Sequence, residues 1–202
     1  MNKLISIVGA SGVGKTALVQ ALAKTGWFDI AYEQHAERPF QALFKQDHHY
    51  ALANQIDYLH LRAEQEQALR ASSKLGLLDG GLDLDFYGFT RLFHQRGLLA
   101  DPEYDLCRRV YAFIRAWLPR PEIFVRLWAD PATVAARLST RDRINIASAE
   151  DTALFDSFLD EWLASLPAGS VLQVDVSHET RHYEQSISTI LRHISASDNE
   201  SV

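Results

Sequence analysis

The chain is short of the residues that would place it in an oxidising compartment, a membrane or on a nucleic acid. Its single cysteine, Cys107, excludes an internal disulfide and has no Cys or His partner at zinc-ligand spacing. No apolar run reaches 18 residues, and the apolar start reads as a strand rather than a signal peptide, so neither a membrane span nor export is expected. A cytoplasmic protein is the expectation. Basic residues are outnumbered, with 20 Lys and Arg against 26 Asp and Glu, for a formal net charge of −6. No basic stripe is visible, which excludes an extended nucleic-acid track while leaving room for small anions. Linkers and fixed-period repeats are also missing. A single domain over residues 1–194 is therefore expected, with 195–202 as a flexible tail. With 47% hydrophobic residues the chain can bury a sizeable core.

What is present is concentrated near the start. Residues 9–16 read Gly9-Ala10-Ser11-Gly12-Val13-Gly14-Lys15-Thr16, between an apolar run at 4–8 and helical periodicity at 17–23. This G-x-x-x-x-G-K-[ST] pattern, between strand and helix, is a phosphate-binding loop. Its glycines let backbone N–H groups turn toward phosphate, Lys15 reaches the β- and γ-phosphates of ATP, and Thr16 offers a hydroxyl to Mg²⁺. The helix that follows adds its positive N-terminal end.

Short apolar runs then alternate with longer helical patterns, the signature of a parallel sheet covered on both faces. Five strands are predicted near 3–8, 28–32, 75–79, 122–128 and 170–176. Helices are predicted near 15–24, 37–46, 50–73, 84–97, 103–118, 131–140, 150–165 and 180–194. Ligands of such sheets lie at the carboxyl ends of the strands. Asp79 stands there as a second carboxylate for a nucleotide-bound Mg²⁺, or as a turn-forming Asp before two glycines. Glu33 stands there too, as a carboxylate able to take a proton from a hydroxyl, or as an exposed cap. Arg137, Arg141 and Arg143 follow the fourth strand in a segment with little to bury, which suits a lid closing over phosphates, or a solvated charged face.

In this order the motifs resemble the deoxynucleoside kinases. That family carries a phosphate loop, a strand-end Glu, an aromatic-x4-Gln-x6-Arg helix, an acid-Arg-Ser motif and an Arg-x3-Arg-x-Arg lid. Here stand Glu33, Tyr50 with Gln55 and Arg62, Asp79, and Arg137 with Arg141 and Arg143. The resemblance covers about residues 3–165. It implies a P-loop NTPase-type three-layer α/β/α fold with a five-stranded parallel sheet and an arginine-rich lid. It implies ATP and Mg²⁺, with Glu33 as base for a nucleoside 5′-hydroxyl and Arg141 and Arg143 neutralising the transferred charge. Gln55 would hydrogen-bond the base, with Tyr50 and Phe44 beside the substrate. Arg62 and Asp85 would form a charged pair at the base, favouring an aminated one, or a structural salt bridge. A homodimer paired through helices after the third strand is also implied.

Three departures stand against this pattern. Gly80 occupies the place of the motif arginine, Phe44 that of a tyrosine at the sugar, and Ile146 that of a lid carboxylate. Two other readings therefore stay open. One is a kinase acting on a nucleoside monophosphate or another metabolite; the other is a nucleotide-binding assembly or regulatory protein without catalysis.

Overall fold

The computed structural model describes residues 3–31, 38–139, 149–180 and 182–199. Five parallel strands form one sheet in the order β2-β3-β1-β4-β5. They are β1 (Leu4–Val8), β2 (Phe28–Ala31), β3 (Leu75–Asp79), β4 (Ile123–Trp128) and β5 (Val171–Asp175). Every residue of β1 is buried, as expected of a central parallel strand packed on both faces. The chain moves from β1 to one side and then crosses back to β4, so its direction reverses at the carboxyl end of β1. That reversal opens the crevice in which such sheets hold ligands. The register pairs Ile7 with Asp79 and Val8 with Arg126, which sets the ends of β3 and β4 beside the start of the phosphate loop.

One face of the sheet is covered by α1 (Lys15–Ala23) and α9 (Glu184–Asn199), through Leu18, Val19, Leu22, Ile190 and Ile194 against Ile5, Ile7, Val125 and Leu127. The other face meets α8 (Ala149–Ala164), where Phe155, Leu159 and Trp162 pack on Val8 and Phe124. A third cluster lies among helices alone: Phe44 from α2 (Pro39–Gln46), Leu59 from α3 (Ala51–Arg70), and Cys107 and Tyr111 from α6 (Asp101–Trp117). After β4, α7 (Pro131–Ser139) begins at the Asp130 cap, whose Oδ1 accepts from Thr133 N at 2.9 Å. Among the described residues no helix is long and apolar enough to cross a membrane.

Two expectations need correction. The segment read as one helix over 84–97 is instead α4 (Leu82–Leu84), a wide π-helical turn over Asp85–Thr90, and α5 (Arg91–Gln95). The physical cause is close packing at Gly88: a Cβ there would stand 2.5 Å from the Phe155 ring. Such widened turns commonly mark functional positions. The last helix also runs past 194, into the segment expected to be a tail. It starts late, at Glu184, because Tyr183 holds a left-handed φ of 53°. It then continues to Asn199 because no Gly or Pro interrupts it and buried Ile190 and Ile194 anchor it.

Candidate active site

The phosphate loop leaves β1 in a conformation that only its glycines tolerate without strain. Gly9, Gly12 and Gly14 have φ of 153°, 84° and 109°. A Cβ on Gly9 would stand 2.7 Å from the Leu127 carbonyl oxygen, a backbone atom that cannot step aside. Behind Gly14 sits the buried Tyr183 hydroxyl, closing the space a side chain would need. Lys15 curls over the loop, its Nζ donating to the Gly9 and Ala10 carbonyls at 2.8 and 3.0 Å. Arg137 braces the loop from α7: Nη1 donates to Val13 O at 2.6 Å and Nη2 to Val176 O at 2.8 Å. Of the three arginines read as a lid, this one is engaged with the loop backbone; Arg141 and Arg143 lie outside the described residues.

Thr16, in the first turn of α1, donates its hydroxyl to Asp79 Oδ2 at 2.6 Å. Asp79 is 2% exposed, and its Oδ1 is buried with no hydrogen-bond partner among the described residues. A buried carboxylate oxygen without a partner is costly, and a divalent cation would satisfy it. The donor set suits Mg²⁺, a hard ion that takes oxygen ligands and keeps several waters.

The turn after Asp79 is rigidly held. Ser6 Oγ donates to Gly80 O, and Gly80 N donates to Ile7 O at 3.0 Å. Gly80 and Gly81 have φ of 88° and 116°, so an arginine at position 80 would carry backbone strain in this turn. Below it, Glu66 accepts from Leu82 N at 3.1 Å and from Arg115 at 2.7 and 3.0 Å. Arg115 also meets Asp83 at 2.6 Å, and Asp83 accepts from the Tyr111 hydroxyl. Burial pushes Glu66 above the usual carboxylate range, against the pull of Arg115.

A cleft with about 490 Å³ of empty space opens beside this turn, lined by residues of α2, α3, the widened turn and α5, including Phe44, Asn54, Gln55, Arg62, Asp85 and Phe93. Helical spacing places Gln55, Tyr58 and Arg62 on one face of α3. The π turn aims Asp85 and Phe89 into the same space. Arg62 Nε donates to Asp85 Oδ2 at 2.6 Å, with both side chains about 95% removed from solvent. Arg62 also links the cleft to the loop end of the site, since its Nη2 would lie 3.7 Å from a Cβ on Gly80. Gln55 is 3% exposed, and its Nε2 has no partner among the described residues.

Lys15, Thr16, Asp79 and the loop thus converge at the strand ends, while Gln55, Arg62, Asp85 and Phe44 converge on the cleft. Tyr50 does not line the cleft; it packs against the aromatic cluster around Phe44 and Phe86. Glu33 and Ile146 lie outside the described residues. Asn54, Gln41, Tyr58, Phe89 and Phe93 escaped the motif reading, although Asn54 directly precedes Gln55 and Tyr58 follows it at helical spacing. Among the described residues no group of His, Cys, Asp or Glu forms a metal cluster.

A family model described as Deoxynucleoside kinase matches residues 5–197. Two curated relatives agree with it. The deoxyadenosine kinase of Dictyostelium discoideum is 26% identical over 140 residues, 69% of this chain but only 57% of the relative's length. The deoxyadenosine/deoxycytidine kinase of Bacillus subtilis (strain 168) is 20% identical over 202 residues, covering 96% of this chain and 93% of the relative. The deoxyadenosine kinase of M. mycoides with bound dATP superposes with a TM-score of 0.75 at 18% identity, over 95% of this chain and all of that one. The same enzyme with bound dCTP gives 0.74 over 96% and 99%. These structures share the fold, and the family match spans nearly the whole sequence. The chain belongs to the deoxynucleoside kinase family.

Proposed function

We propose that this protein transfers the γ-phosphoryl group of ATP to the 5′-hydroxyl of a deoxynucleoside with an aminated base, adenine or cytosine. The observation that carries this reading is the pairing of a phosphate loop with a cleft into which the buried Gln55 is set, its Nε2 without a partner among the described residues. An enclosed amide with a free donor is suited to a heterocycle edge. The carboxylate of Asp85 can accept from an exocyclic amine while Arg62 holds it in place. The relatives named for deoxyadenosine and deoxycytidine are consistent with that choice.

Phosphoryl transfer asks the protein mainly for positioning and charge stabilisation. The loop amides and Lys15 hold the donor's phosphates; Lys15 exchanges its two carbonyl partners for phosphate oxygens on binding. Thr16 and Asp79 would hold Mg²⁺, which when bound neutralises phosphate charge. Glu33 takes the proton of the 5′-hydroxyl, and Arg141 and Arg143 offset charge on the phosphoryl group. The test is an assay with ATP across the four deoxynucleosides, repeated with Glu33→Gln. Turnover of deoxyadenosine or deoxycytidine, falling about 10²–10⁴-fold in the variant, is expected; no turnover of any deoxynucleoside overturns the reading.

The protein works as a homodimer in the cytoplasm. Phe113 and Trp117 on α6 are 68% and 78% exposed beside a hollow shared with α3, an apolar surface that a second copy would cover. Light scattering is expected to give twice the 22.8 kDa of the chain, and Trp117→Glu to give monomers; a monomeric parent protein refutes the pairing.

A further inference from the structure

Gln55 is not alone in its predicament. Its neighbour Asn54 lines the same cleft, is 5% exposed, and has a buried Oδ1 without a partner among the described residues. The cleft's other polar groups are engaged by protein. Arg62 holds Asp85 and donates from Nη1 to Gln65 at 3.1 Å, and Gln41 Oε1 accepts from Arg38 N at 3.4 Å. The cleft that Asn54 lines is walled on its apolar side by Phe44, Phe89 and Phe93. Core packing alone would place an apolar side chain there, because a buried amide atom without a partner lowers stability. Its presence calls for a ligand.

We propose that Asn54 is a specificity-determining residue of the acceptor cleft, reading a second edge of a 6-aminopurine ring beside Gln55. This rests on the cleft being the nucleoside site. Each carboxamide offers one acceptor oxygen and a donor nitrogen, the complement of adenine's exocyclic amine and adjacent ring nitrogen. Adenine presents two such edges, one on each side of its amine, whereas cytosine presents one. Successive residues of an α-helix diverge by about 100°, so Asn54 and Gln55 reach a ring from different directions rather than competing for one edge. Two carboxamides are redundant for a pyrimidine and matched to a purine.

The test is Asn54→Leu, close in volume and without polar atoms. Its readouts are the melting temperature of the ligand-free protein and the ratio of kcat/KM for deoxyadenosine to that for deoxycytidine. The parent protein is expected to prefer deoxyadenosine. The variant is expected to melt at or above the parent's temperature while the ratio falls about 5- to 100-fold, the discrimination a bidentate pair supplies. A purely structural amide would do the reverse, lowering the melting temperature and leaving the ratio alone. Should Asn54→Leu not fold, Asn54→Ser reports the same ratio. An unchanged ratio, or a parent protein that prefers deoxycytidine, overturns the assignment of Asn54. A parent protein that phosphorylates no deoxynucleoside overturns instead the proposed function on which it rests.

Discussion

The Arg62–Asp85 pair gives a sharp test of how the cleft is built. Both residues are 4% exposed and their side chains meet at 2.6 Å. At that depth neither charge can turn to water. Removing one partner takes the opposite charge away from a group that stays buried, at a cost of about 3–5 kcal/mol. Removing both also lifts the desolvation penalty, so a neutral pair of similar volume is close to neutral in stability. For a domain of this size each kcal/mol moves the melting temperature by about 2–4 °C. Arg62→Met and Asp85→Asn should therefore each lower it by about 6–20 °C, while the double variant returns to within about 4 °C of the parent. A double-mutant cycle from urea and thermal unfolding should give a coupling of about 3 kcal/mol or more, well above the limit of additivity. If the pair also faces the base, the double variant recovers stability without recovering turnover of an aminated deoxynucleoside. Single variants within about 1 kcal/mol of the parent, or a double variant destabilised by the sum of the two, would refute the reasoning.

The remaining predictions concern the metal position and the one thiol. Asp79→Asn removes a charge from the atom proposed to help hold Mg²⁺; the Mg²⁺ concentration for half-maximal turnover should rise at least tenfold, and an unchanged Mg²⁺ titration refutes that placement. Cys107 is fully buried, and burial pushes its thiol up to about 11. It should resist Ellman's reagent at pH 8 in the folded protein and react as one equivalent after unfolding; ready reaction in the folded state contradicts its packing. Because the folded value lies above the unfolded one, this residue's contribution to stability is complete below about pH 9. It is lost as pH rises toward 11, by at most about 2.7 kcal/mol for two pH units. A Cys107→Ala variant should show a flatter stability curve over that interval.

How much of this was legible beforehand depends on range along the chain. The strand, loop and helix at 4–23 were readable because each is specified by residues within a turn or two of one another: an apolar run, glycines at fixed offsets, then helical periodicity. Asp79 was readable because a strand end in a parallel sheet is a place with a meaning. Gln55, Arg62 and Asp85 became candidates only through the resemblance to the family's pattern. Asn54 was passed over, since in sequence it is only a polar residue on a long helix. What singles it out is a buried Oδ1 without a partner among the described residues, and that is a property of the folded surroundings. Gly80 looked like a lost arginine, while the backbone gives it a φ of 88° that favours glycine.

The sequence by itself determined the layered parallel sheet, the phosphate grip at its centre and the carboxylate beside it, because these follow from local pattern and from the geometry such patterns impose. Only the tertiary structure decided the shape of the acceptor cleft. The widened turn at Asp85–Thr90 depends on Phe155 pressing against Gly88, 67 residues further along the chain. The last helix reaches Asn199 through the anchoring of Ile190 and Ile194 on the sheet. Contacts between residues so far apart are set by packing, in which one side chain's volume fixes another segment's backbone, and no short window of sequence contains both.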